Sequence, residues 1–159
     1  MVFTMQLDNQ RIFSKKIKVP ELLKDKLQLM TNCDLSVHEI DLFNVSLSCI
    51  EKQMQIDNIN LNDFCKINVV FTKDGSFSFH ENHEFTSGMQ LYLAIYRMNK
   101  IREQNADWYT LFVYVEELTH YFWRIYNEDE VKYKVVEILH DIFPKLTVEK
   151  MKENNIKWE

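Results

Sequence analysis

Glu116, Glu117 and His120 are the residues of this chain best placed to do chemistry. They fall in the run Trp108 to Tyr126, whose aromatic and aliphatic residues cover most of a helix circumference, as in a helix buried on nearly all sides. Against that background Glu116, Glu117, His120 and Arg124 form one narrow polar stripe, and a charged stripe on a buried helix must face a cleft, a partner or water. Glu116 and His120 are four residues apart, so they project from one helix face and can hold one metal ion. Glu117 stands beside them, where a general base would take a proton from metal-activated water. The other reading of the stripe is an ion network of Glu116, His120 and Arg124 that fixes helix packing.

The segment Glu116-Glu117-Leu118-Thr119-His120 has the spacing of H-E-x-x-H, with Glu116 in place of the first histidine. With the following Tyr121 to Leu139, it resembles the zincin metallopeptidases, most closely the short cytoplasmic ones of the gluzincin kind often carried by mobile elements. The resemblance implies a zincin-like fold and a metal-dependent, peptidase-like hydrolase using Zn2+ or another divalent ion. It also implies Glu116 and His120 as metal ligands, Glu117 as catalytic base and a third ligand from the next helix. Glu130 matches the opening of that helix. An antiparallel helix pair turning near Asn127 would bring Glu137 level with Glu117, so Glu137 competes for the role.

Two further groupings use the same residue types. Glu117-Leu118-Thr119-His120 and Glu137-Ile138-Leu139-His140 are both Glu-x-x-His, the unit that di-iron carboxylate bundles place on facing helices. Those bundles need two more glutamates from two more long helices, which a β-patterned first half does not supply. His80 and His83, at a strand exit, are a second pair with ligand spacing, though short loops of this composition are more often plain surface. His38 stands alone, on the solvent side. No G-x-S-x-G nucleophile signature occurs.

Composition narrows the classes. A chain of 159 residues with 46% hydrophobic and 13% aromatic residues is the length of one domain with a substantial core. A formal charge of −5 argues against a nucleic-acid binder held by phosphate contacts. Only two glycines, Gly75 and Gly88, leave no room for a phosphate-binding P-loop or a dinucleotide fingerprint, and asparagine is expected to take the turn positions. Cys33, Cys49 and Cys65 form neither a disulfide framework nor a zinc ribbon. No stretch has the length of a membrane span, and no signal-peptide pattern opens the chain. The expectation is a cytoplasmic protein.

The elements that must position these residues read as α+β: a mostly antiparallel sheet from 1–85 packed against three helices from 86–159. Phe3, Met5 and Leu7 with Ile12 to Val19 suggest a hairpin, and Pro20 opens a helix carrying Leu22, Leu23, Leu27 and Met30. Val45, Leu47 and Cys49 alternate as in a strand. Asp74-Gly75 predicts a hairpin between Ile67–Thr72 and Ser76–His80. Helices follow from Ser87 to Gln104, through Trp108 to Tyr126, and from Asn127, a capping residue, to Pro144. If the chain is not an enzyme, its aromatic residues suit a non-catalytic phage or mobile-element interaction protein, an antagonist or immunity factor, binding a protein partner.

Overall fold

The computed structural model describes residues 5–81 and 91–153. Its main sheet has three parallel strands, β2 (Leu27–Thr31), β3 (Ile67–Thr72) and β5 (Leu93–Arg97), in the order β2-β3-β5. A separate antiparallel pair joins β1 (Met5–Leu7) to β4 (Phe79–Glu81). The class is therefore α+β with a mixed set of strands, and the expected mostly antiparallel sheet is corrected. The cause is α1 (Val37–Ile56), a 20-residue helix between β2 and β3. A helical crossover returns the chain to the end from which it left, so the strands it joins run parallel.

The segment read as strand around Val45 to Cys49 lies inside α1. Its N-terminus is a capping box: Ser36 Oγ accepts from the Glu39 N–H at 3.0 Å, and Glu39 Oε1 accepts from the Ser36 N–H at 2.9 Å. Ile40, Phe43, Leu47, Ile50 and Met54 then follow at helical spacing and are all buried. The expected helix after Pro20 is only a short 3-10 turn at Glu21–Leu23, and Leu27 and Met30 belong to β2. Strand and helix are thus interleaved, with the longest helix before residue 85 and β5 after it.

β3 is central and buried at all six positions, as expected of a strand covered on both faces. Ile67, Val69 and Phe71 face the helices, with Ala94 and Tyr96 of β5 beside them. On the other face Val70 and Met30 pack with Leu7 of the β1–β4 ribbon. Asp74-Gly75 does form a turn, with Gly75 at φ +93°. The strands it was expected to pair as a hairpin go instead to different partners. Of the expected first hairpin, Phe3 lies outside the described residues, and among the described residues only 5–7 are strand.

After β5 come α2 (Met98–Glu103), α3 (Asp107–Phe122), α4 (Glu128–Ile138) and α5 (Val148–Glu153). The expected helix from Ser87 to Gln104 is β5 followed by α2 over its described part, and 87–90 lie outside the described residues. An aromatic nest seats α3 on the sheet. Phe43 of α1 makes edge-on contacts with Phe71, Tyr96 and Tyr114 at centroid distances of 5.1, 6.0 and 5.3 Å. Asn9, Asn58 and Asn105 take positive φ, the turn role expected where glycine is scarce.

Candidate metal centre

α3 buries ten of its sixteen residues, Glu116 among them. It ends at Phe122 rather than near Tyr126, and Arg124 adopts φ +54°. Arg124 therefore leaves the polar stripe; its guanidinium lies 4.8 Å over the Phe64 ring. The reversal from Trp123 to Asn127 folds the chain back over the end of α3. His120 Nδ1 lies 2.6 Å from the Ile125 carbonyl oxygen, and so must donate to it. That bond fixes the imidazole and leaves Nε2 turned to the carboxylates.

Two carboxylates meet Nε2. Glu116 Oε1 is 3.8 Å away and Glu128 Oε2 is 3.5 Å away, ion-pair distances too long for good hydrogen bonds. One potential ligand atom from each of Glu116, His120 and Glu128 lies within 4.8 Å of the other two. The Glu116 side chain is 9% exposed, that of His120 19% and that of Glu128 70%, so the group is walled by the protein on one side and open to water on the other.

The third carboxylate is Glu128, not Glu130. Asn127 caps α4 by accepting from the N–H groups of Asp129 and Glu130 at 2.9 and 3.0 Å, so Glu128 is the first helical residue and sits nearest the end of α3. Glu130 is two residues on, rotated by about 200° around the helix. The capping reading of Asn127 already places Glu128 at the helix start, but only the reversal after Phe122 brings that start beside His120. Glu137 is engaged elsewhere: its carboxylate accepts from Gln53 at 3.1 Å and pairs with Lys134 at 2.8 Å. His140 is exposed and lines a different cleft with Cys49 and Asp141. His80 bonds to Asp8 and Gln6 at 2.7 and 2.8 Å, and His83 lies outside the described residues. His38 is exposed but not alone, pairing with Asp107 at 2.9 Å.

Electrostatics separate the two glutamates of the motif. The Glu116 carboxylate, helped by the Ile125 carbonyl and by Glu128, outweighs burial and raises the His120 imidazole to about 9. Near neutral pH and without a metal ion, a proton therefore occupies the ring and the group is an ion pair that ties α3 to α4. Burial, with Glu116 adding to it, pushes the Glu117 carboxyl up to about 7. Glu117 points into a cleft of about 250 Å3 that Arg97, Lys100 and Val113 also line. A carboxyl near 7 is matched to proton transfer at neutral pH.

No family model matches the chain, and neither a curated protein nor a solved structure does. Among the described residues, no helix is long and apolar enough to cross a membrane.

Proposed function

We propose that the chain is a metal-dependent hydrolase of the peptidase type, in which Glu116, His120 and Glu128 hold one divalent cation, zinc foremost. The observation that carries the reading is the convergence of those three side chains from two helices, with His120 Nδ1 anchored on a backbone carbonyl and Nε2 facing two carboxylates. Imidazole and carboxylate are both ligand types that zinc accepts, and three protein ligands leave a position for water or substrate. The zincin-like spacing of Glu116, Glu117 and His120 supports peptide as the substrate class.

A bound divalent ion would polarise a carbonyl and acidify a water molecule. The chain's own residues do the rest. The Ile125 carbonyl sets the His120 tautomer, the buried Glu116 fixes the inner wall of the site, and Glu117 takes the proton from the attacking water and returns it to the leaving amine.

Elemental analysis of protein purified without a metal-affinity tag, together with peptide hydrolysis by the Glu117→Gln variant, tests this reading. The expected result is bound metal in both proteins and turnover lowered by about two to four orders of magnitude in the variant. Protein that binds no divalent ion would refute it and favour a non-catalytic interaction protein, for which the exposed Tyr126 and Tyr133 offer aromatic contact surface.

A further inference from the structure

The cleft lined by Glu117 has a composition that the metal site does not explain. Tyr109, Val113 and Glu117 reach it from one face of α3, at spacing i, i+4, i+8. Ile95 of β5 and Ile101 of α2 complete an apolar wall, while Arg97 and Lys100 supply positive charge. Glu103, exposed on α2, is the other carboxylate among the described residues of the lining.

Arg97 is the informative member. It ends β5, and its stem rests against the turn after β3, so closely that a Cβ on Gly75 would meet Arg97 Cδ at 2.9 Å and Cγ at 3.1 Å. The glycine therefore makes room for the arginine stem. Among the described residues the guanidinium has no hydrogen bond or ion pair, although its charge acts on Glu117 through space. Arg97 is exposed, and its stem, held against Gly75, places a guanidinium without an anion beside an apolar wall, an arrangement suited to carboxylate recognition because its planar fork matches a carboxylate. At about 250 Å3 the space lies below the roughly 300–1,000 Å3 of pockets for drug-sized ligands, so it suits the end of a chain rather than an extended one.

The geometry points to a binding site for the free C-terminal carboxylate of a short apolar peptide, with Arg97 on the carboxylate and Ile95, Ile101 and Val113 against the terminal side chain. The choice of a peptide over another carboxylate rests on the hydrolase reading, since Glu117 is shared by the cleft and the proposed reaction. Water would add to the last peptide carbonyl, the C–N bond would break, and Glu117 would pass the water's proton to the departing amine. The products are the terminal amino acid and a shortened peptide with a new carboxylate.

Calorimetric titration of the full chain in chelator, with acetyl-Leu-Leu and with its C-terminal amide, tests the cleft apart from the metal. The free acid is expected to bind at least tenfold more tightly than the amide. Arg97→Gln should abolish that preference, and Arg97→Lys, which keeps the charge but not the fork, should retain part of it while melting close to wild type. Equal binding of acid and amide, no binding of either, or a preference that survives Arg97→Gln overturns the proposal. Zinc binding without acid preference would overturn the cleft and leave the metal reading standing. An Arg97-dependent preference in protein that binds no divalent ion would support the carboxylate site and remove the hydrolase reading.

Discussion

Replacing His120 by Asn separates a metal ligand from a packing histidine. The variant loses the 2.6 Å bond to the Ile125 carbonyl and the cation facing Glu116, whose side chain is only 9% exposed. A buried acceptor left without its partner costs about 1–3 kcal/mol. At about 2–4 °C per kcal/mol for a domain of this size, chelated variant should melt about 2–12 °C below chelated wild type. Zinc at a hundredfold excess over its dissociation constant adds about 2.7 kcal/mol to a protein that binds it only when folded. Wild type should therefore gain about 5–11 °C on adding zinc, and His120→Asn should gain nothing. Differential scanning of both proteins, in chelator and in zinc, reads the four melting points directly. Glu128→Gln should shrink the zinc increment and Glu130→Gln should leave it intact, because only Glu128 stands beside His120. A gap between wild type and His120→Asn that is the same with and without zinc would refute the metal assignment. An effect of Glu130→Gln equal to that of Glu128→Gln would refute the placement of the third ligand.

Three other outcomes follow from the same geometry. Glu117 has a folded-state value raised to about 7 from 4.5, so the folded protein binds the extra proton between those limits and loses stability as pH rises through that window; in chelator, Glu117→Gln should match wild type below that window, near pH 4, and melt above it at pH 8. Asp57 behaves oppositely: burial would raise its carboxyl, but hydrogen bonds from Trp123, Lys134 and Gln53 at 2.8, 3.1 and 3.1 Å hold it below its usual 3.8. Asp57→Asn should be destabilised by about 1–3 kcal/mol in urea unfolding at pH 7, and the difference should fade as pH drops through that depressed value. Phe43→Ala empties the centre of the aromatic nest and should cost about 3–5 kcal/mol by the same measurement, with far-UV dichroism of the folded state unchanged.

Local chemistry made several features legible in the sequence. The apolar circumference of α3 announced a buried helix, Asn127 announced the start of α4, and the four-residue spacing of Glu116 and His120 announced a shared face. The start of α1 was written as plainly, in Ser36-x-x-Glu39 followed by Ile40, Phe43, Leu47, Ile50 and Met54. The short alternation Val45, Leu47, Cys49 matched a strand's period of two and obscured it. Once that helix is recognised, a parallel pairing of β2 with β3 follows.

Tertiary structure decided what covers each element and which side chains meet. Leu27 to Thr31 is a strand because β3 offers it a parallel edge and the core receives Leu27 and Met30 on opposite faces, a preference that no local propensity encodes. Glu137 is withdrawn from the site because the end of α1 presents Gln53 and Asp57 to α4, a contact between residues about eighty apart in the chain. The sequence by itself determined which groups could titrate or ligate and on which helix face they stand, since side-chain chemistry and helical period are local properties. The choice of Glu128 over Glu130 depends on the tight reversal after Phe122, and the cleft beside Glu117 on Arg97 crossing Gly75. Both are distances between separate segments, which only the packed chain defines.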